Sequence, residues 1–285
     1  MKNDLLSMQG ELQVFTFAIE GVPYALEVAH VLAISQDTSR LRPIPSILPG
    51  FIGLIDYQGT VVPALDFAHL LGCKNKKERR DELIAMLEAC EKDHLDWLDA
   101  LEYSLDTGQP FTKEKNPHKC AFGRWYDSYQ PEDEVLKSIW TDFDALHQRI
   151  HALADELQEV ARTQGREEAM ARLKLERDTT LQALRRTFEF ARENLRSSQH
   201  TVFLYLTSDG RTPRLALRLD DISDIRGYEL EDAVPLCAIE LPPGAIPKDL
   251  VQSYLRGASG DALLLAPDTL LRLAERAAAQ AGVAS

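Results

Sequence analysis

The chain has 285 residues, enough for two domains that each bury a core, and carries 45 acidic against 32 basic side chains, a formal net of −13. That balance, with no dense Lys/Arg stripe, excludes nucleic acid as an expected partner; the one basic run, KNKKERR at 74–80, reads as a solvated helix entry. No apolar run approaches the roughly 18 residues that span a bilayer and the opening MKNDLL has no secretory pattern, so the expectation is a cytoplasmic protein without membrane insertion.

The four cysteines (Cys73, Cys90, Cys120, Cys237) show no CxxC spacing, which fits reduced thiols rather than a disulfide framework. Composition then shifts along the chain. Residues 73–198 hold 47 of the 77 charged side chains but 3 of the 14 prolines, and no proline occurs between Pro131 and Pro213. Proline breaks helices, so this block reads as helix-rich sequence set into a strand-rich chain.

From the start, ELQVFTFAI has the alternation of a half-buried strand, with Phe15, Phe17 and Ile19 on one face. Gly21 permits a tight turn, YALEV and AHVLAIS continue as strands, and Pro43, Pro45 and Pro49 hold an extended segment. FIGLIDY and TVVPALDF form two strands joined through Gln58-Gly59, and FAHLLG is a short helix stopped by Gly72. The segment RPIPSILPGFIGLIDYQGTVVPALDF, through Pro45, Pro49, Gly53, Gly59, Pro63 and Asp66, resembles the CheW-like domain, the adaptor module of bacterial chemotaxis. The resemblance implies contact with a CheA-type chemotaxis histidine kinase or a chemoreceptor. One departure bears on that: Gln58 stands in the turn where the family usually has Arg, and a lost five-donor guanidinium weakens such a contact.

In the middle block, ERRDELIAMLEACEKDHLDWLDALEYSL reads as an amphipathic helix with Leu83, Leu87, Cys90, His94, Trp97 and Leu101 on one side. An imidazole on that stripe needs a ligand or a hydrogen-bond partner. TGQPFTKEKNPHK is a loop, and CAFGRWYDSY follows, with Gly123 allowing close backbone approach and Trp125 and Tyr126 expected to wall the site from water. The next helix presents Val135, Ile139, Phe143, Leu146, His147, Ile150 and Leu157 along one face. His147 and His151 are four apart, so on a helix they point the same way about 6 Å from each other. With Cys120 and His94 they make a three-nitrogen, one-sulfur set suited to tetrahedral zinc. His118, two residues before Cys120, is the competing ligand but lies in a Pro-bounded loop; His30, His69 and His200 read as structural or exposed.

HLDW, then CAFGRWY, then HQRIH resembles the chemoreceptor zinc-binding (CZB) family, whose pattern is His, a Cys-x-[Phe/Leu]-Gly-x-Trp segment, then His-x-x-x-His. It implies a Zn2+ cofactor held by His94, Cys120, His147 and His151, with Cys120 redox-reactive towards an oxidant such as hypochlorous acid. A last helix from about Arg166 to Ser197 keeps heptad spacing through Leu181, Leu184, Phe188, Ala191 and Leu195, the face of an antiparallel bundle that a second chain could share as a homodimer. Strand patterns return in TVFLYLTSDG, RLALRLDDISDIRGYEL and VQSYLRGASGDALLLAPDTLLRLAERAAA, where the CheW-like resemblance is weaker.

The expected fold is therefore α+β. Residues 10–72 and 199–280 form a discontinuous CheW-like domain of paired small SH3-like β-barrels, and residues 73–198 an inserted α-helical zinc-binding bundle. HQRIH lacks the Glu of HExxH, four protein ligands leave no open position, and no phosphate loop, GxSxG or kinase signature is present. The expected function is thus non-enzymatic: a chemotaxis adaptor in which a His3Cys site senses zinc or oxidant, or else a constitutive scaffold with a purely structural zinc.

Overall fold

The structure is a computed structural model of the chain and describes residues 11–45, 48–131, 134–197, 201–235, 248–258 and 260–280. The chain divides into two compact units, residues 1–77 with 200–285, and residues 78–199.

The first unit opens with β1 (Glu11–Ile19), β2 (Val22–Glu27), β3 (Val31–Ser35), β4 (Leu41–Arg42), β5 (Phe51–Tyr57), β6 (Thr60–Asp66) and the short α1 (Phe67–Leu70). It resumes with β7 (Val202–Leu206), β8 (Leu215–Leu219), β9 (Asp224–Glu229), β10 (Ala233–Pro235), β11 (Val251–Leu255), β12 (Ala262–Leu265) and α7 (Pro267–Gln280). These strands build two curled six-stranded sheets, ordered β10-β11-β12-β2-β1-β9 and β3-β7-β8-β6-β5-β4. Two-residue turns close β1–β2 and β5–β6. Both residues of each turn have positive φ (Glu20 49° and Gly21 78°, Gln58 52° and Gly59 87°), the type I′ geometry that matches strand twist.

The two halves of this unit interleave rather than standing side by side. Each sheet has one parallel pairing, β2 with β12 and β6 with β8, and in each a strand before the helical block pairs with one after it. The alternation expected along β1 is only partly realised, because both of its faces are buried. Val14 enters a small core with Ala25, Tyr228, Leu255, Ala262 and Leu264, while Phe17 and Ile19 enter the main core with Tyr24, Phe67, Leu204, Leu217 and α7. The second sheet curls around its own small core of Ile55, Val62, Ala64, Phe203, Tyr205 and Ala216.

The second unit is a helical bundle of α2 (Lys76–Thr107), the short α3 (Ala121–Tyr126), α4 (Glu134–Thr163) and a return arm of α5 (Arg166–Glu176) and α6 (Gln182–Ser197). A π-helical turn, Arg177–Leu181, interrupts the return arm, which the heptad pattern reads as one regular helix. Leu181, Leu184, Phe188, Ala191 and Leu195 are all buried in the unit's own core, against Leu87, Trp97, Leu101, Phe122, Phe143 and Ile150. Two face assignments shift by one residue. Val135 is 49 % exposed and Leu136 is buried in its place, while Ile84 is buried and Leu83 only partly so.

A buried polar network sits where α2 starts. Asp66 is 1 % exposed; its carboxylate accepts from the His69 amide (3.1 Å) and from Asn75 Nδ2 (2.9 Å) and lies 3.1 Å from Arg218 Nη1. Alongside, the Lys76 amide donates to Asp220 Oδ2 (2.8 Å). Removing one partner of a buried ion pair leaves the other charge uncompensated. Asp66→Ala is therefore expected to destabilise the first unit by about 3–5 kcal/mol in urea unfolding, whereas an exposed carboxylate such as Glu231 replaced by Ala should change it by under about 0.5 kcal/mol.

Candidate metal centre

Four side chains from three segments of the helical unit converge. His94 comes from the middle of α2, Cys120 is the residue before α3, and His147 and His151 stand one turn apart on α4. One ligand atom from each lies within 4.8 Å of the others. The ring centroids are 5.0 Å apart for His94–His147, 5.8 Å for His94–His151 and 4.8 Å for His147–His151, and Cys120 Sγ is 3.2 Å from His147 Nε2. These are the four residues that spacing singles out, and the fold brings all of them together.

Local structure orients each one. His94 Nδ1 lies 2.6 Å from the Cys90 carbonyl one turn earlier; an Nδ1–H donating there leaves the lone pair on Nε2. Cys120 caps α3, its Sγ accepting from the Gly123 amide at 3.1 Å and standing 3.3 Å from the Pro117 carbonyl. Gly123 is required by a close approach: a Cβ there would stand 1.8 Å from Pro117 O. The Cys-x-x-Gly spacing thus lets the chain fold tightly enough to aim the sulfur inward.

The three imidazoles are 3–4 % exposed, and His94 Nε2 and both nitrogens of His151 have no hydrogen-bond partner. Burial pushes the His147 pKa down to about 3, and the neighbouring His94 and His151 rings push the same way. Burial, then His94, pushes His151 down to about 4, and burial holds His94 below its ordinary value. All three are therefore neutral at pH 7, the form that ligates a metal. Burial pushes the Cys120 thiol up, opposed by the Gly123 and Phe122 amides.

A donor set of three imidazoles and one thiol suits zinc. Zn–N near 2.0–2.1 Å and Zn–S near 2.3 Å give tetrahedral edges of about 3.3–3.6 Å. The observed cluster spans that size with small inward adjustments, and unpartnered buried nitrogens are what an ion between them would satisfy.

Of the other candidates, His118 is exposed and pairs with Asp127 at 3.0 Å, outside the cluster. His30 is 3.9 Å from Glu27, and His69 Nε2 is 3.5 Å from Asn75 Nδ2. His200 and Cys237 lie outside the described residues. The water-excluding wall differs from expectation. Trp125 stacks with Tyr129 and Tyr126 with Trp140, on the far side of Phe122, and the rings against the histidines are Phe122, Phe188 and Trp97. Phe188 arrives from the return arm 94 positions after His94, and only its place in the apolar repeat of α6 signalled that it faces inward.

The chain thus joins a two-sheet β unit to a helical unit that carries the His3Cys cluster. Comparison with family models matches the CheW-like domain over residues 13–94 and the chemoreceptor zinc-binding domain over residues 94–158. No curated protein matches the chain. Among solved structures, the scaffolding protein TtCheW from Thermoanaerobacter tengcongensis aligns over 90 % of this chain and 88 % of its own, at 9 % identity and a TM-score of 0.40. The chain carries a CheW-like domain followed by a chemoreceptor zinc-binding domain, and the latter places zinc as the ion for the cluster. Both families are signalling or scaffold domains.

Two tests follow from the geometry. A histidine whose folded pKa is depressed binds its proton more readily when unfolded, so its contribution to stability is present above the unfolded value of 6.5 and is lost as pH falls towards the folded value. The metal-free helical unit is expected to lose on the order of 2–4 kcal/mol between pH 7.5 and pH 5 through His147 and His151, seen as a falling midpoint in urea melts followed by helical circular dichroism. Gly123→Ala forces the Pro117 backbone away; it should cost about 1–3 kcal/mol and weaken zinc binding in competition titrations, while Ala121→Gly leaves binding near parental.

Proposed function

We propose that the helical unit is a zinc–thiolate sensor whose state alters how the CheW-like unit engages a CheA-type histidine kinase or a chemoreceptor. The observation that carries this reading is the convergence of three buried, neutral imidazoles on one cysteine sulfur, with His94 Nε2 and the His151 nitrogens left without a well-formed hydrogen bond. In this reading residues 73–198 are the inserted sensor and residues 10–72 with 199–280 the adaptor, working in the cytoplasm without catalysis. His94, Cys120, His147 and His151 are the ligands, and four protein ligands leave no position for substrate.

Zinc, when bound, holds Cys120 as the thiolate, the oxidisable form of the residue. Hypochlorous acid transfers its oxygen to that sulfur, giving the sulfenic acid and releasing chloride. The oxidised sulfur no longer balances the three imidazoles, and α2 and α4 lose the tie that holds His94 beside His147 and His151. The signal has a covalent route out of the unit. α2 carries His94, and its first residues, Lys76 and Lys77, belong to the adaptor, where the Lys76 amide is fixed on Asp220. Cys90 does not compete as the reactive thiol, since burial pushes its pKa up to about 12.

On the adaptor side, Gln58 is exposed at the tip of the β5–β6 turn, where the family has Arg. Coupling to a kinase or receptor then relies on the rest of the surface, and a weaker contact is easier for the sensor to modulate.

The reading is tested on one sample. Zinc content and affinity for a CheA-type kinase fragment or a chemoreceptor signalling tip are measured before and after one equivalent of hypochlorous acid, on the parent and on Cys120→Ala. The parent is expected to hold one zinc, release it on oxidation and change partner affinity at least about fivefold, a difference on the order of 1 kcal/mol. Cys120→Ala should bind zinc at least about a hundredfold more weakly. Undiminished zinc affinity in Cys120→Ala would sink the sensor, and partner affinity indifferent to oxidant and chelator would leave a scaffold with a structural ion.

A further inference from the structure

The stretch between α2 and α3 is tied down more firmly than a connection requires. It leaves α2 at Gly108, whose φ of +72° and open surroundings suit a hinge, and rejoins regular structure at Asn116, which caps a short 3₁₀ turn. Between these points it is fastened to both flanking helices. Trp97 Nε1 on α2 donates to the Glu114 carbonyl at 2.8 Å, with the Phe111 ring edge-on to the same indole at 4.9 Å. Lys115 Nζ donates to Asp155 Oδ1 at 2.6 Å and Gln158 Oε1 at 2.9 Å, both on α4.

This stretch also walls a cavity that reaches the converging side chains. The cavity has a volume of about 320 Å3; Lys113 and Glu114 line one side, and His94, Cys120 and His151 are among its other lining residues. Within 108–116 Phe111 is the apolar side chain packed against the core of the unit, and it rests on Trp97, so lifting the stretch would uncover chiefly these two rings.

We propose that residues 108–116 are a strap that gates traffic between solvent and the metal centre, anchored at its α2 end by Ser104 Oγ donating to the Gln109 carbonyl at 2.6 Å and fastened beside the cavity by the Trp97 indole N–H and the Lys115 ammonium. The inference rests on the zinc reading for what passes, but the gate itself is a property of the metal-free chain. The fasteners differ in kind. The Lys115–Asp155 pair is largely exposed and screened by salt, so it opens at little cost; the Trp97 bond is sheltered and holds the strap to α2 when the lysine lets go. Lys115 and Trp97 are positioning residues here, setting how fast ions and small reagents arrive and leave rather than ligating them.

Two readouts on the full chain test this, and one needs no metal. Site-resolved alkylation of Cys120 by iodoacetamide in metal-free protein reads access directly; transfer of zinc from loaded protein to a chromophoric chelator reads release. Lys115→Ala is expected to speed both about two- to fivefold at unchanged zinc stoichiometry, with Lys115→Arg near the parental rate. Trp97→Phe, which keeps the ring and removes the donor, should speed alkylation about three- to tenfold. Raising salt from 0.05 to 0.5 M should speed the parent and leave Lys115→Ala unmoved. Parental alkylation rates in both Lys115→Ala and Trp97→Phe would overturn the strap; should Trp97→Phe fail to fold, a parental rate in Lys115→Ala, together with a salt-independent parent, would do so. A parent that takes up no zinc while the alkylation rates shift as stated would instead sink the zinc reading and leave the gate standing.

Discussion

The helical unit is built around an electrostatic cost: three imidazoles are taken out of water, and His94 Nε2 and the two His151 nitrogens are left without a well-formed hydrogen bond. Each buried polar atom left without a partner costs about 1–3 kcal/mol, and three such atoms stand here within one small volume. The surrounding sequence is arranged to keep water out rather than to relieve that cost. Phe122, Phe188 and Trp97 stand against the histidine rings, and burial keeps the rings neutral and their lone pairs available. A structural zinc is worth on the order of 10–16 kcal/mol of apparent folding free energy in small domains, more than enough to reverse the balance. An ion among these four side chains would offset that cost, which is the physical dependence that the proposed sensor requires.

Topology determines how a change of that kind could leave the unit. The adaptor strands before and after the helical block pair directly, in parallel, as β2 with β12 and β6 with β8. The block is thus an excursion from a fold that closes across it. The outgoing crossing is also a buried one: Asp66, Asn75, Arg218, Asp220 and the Lys76 amide form a satisfied polar network at the first turn of α2. Networks of that type hold one geometry and resist fraying. α2 therefore begins at a fixed point in one unit and carries a ligand residue of the other.

Much of this was legible in the sequence because it is written in local chemistry. The His-x-x-x-His spacing and the apolar stripe through His94 follow from helix geometry, while the resemblance carried by the Cys-x-x-Gly segment joined Cys120 to them as a candidate set. The proline-poor, charge-rich block likewise announces helices, and the Gln58-Gly59 turn adopts the geometry its residues suggest. What could not be read depends on partners distant in sequence. β1 buries both faces because one packs inside its own curled sheet and the other against the main core, so period-two alternation fails at Val14. Val135 lies off the buried face because the rotation of α4 is set by Phe143, His147 and Ile150 further along. Phe188 reaches the histidines across a tertiary contact, and Trp125 and Tyr126, near Cys120 in sequence, face Trp140 instead.

The contrast between Cys90 and Cys120 shows why placement rather than residue type decides the chemistry. Both thiols belong to the helical unit, and burial raises the pKa of both. Cys90 sits mid-helix with Met86 Sδ 3.5 Å away and no amide aimed at its sulfur, so it behaves as a small apolar side chain whose carbonyl, not its thiol, serves the site by orienting His94. Cys120 stands at a helix start, half-buried, with the Gly123 amide donating to its sulfur and a cavity opening beside it. The Gly123 and Phe122 amides and the Arg124 guanidinium oppose the rise that burial imposes on the Cys120 thiol, and the cavity gives the sulfur an open side. The same short turn that requires glycine at position 123 thus aims the sulfur at the histidines and leaves it beside the cavity rather than packed in the core.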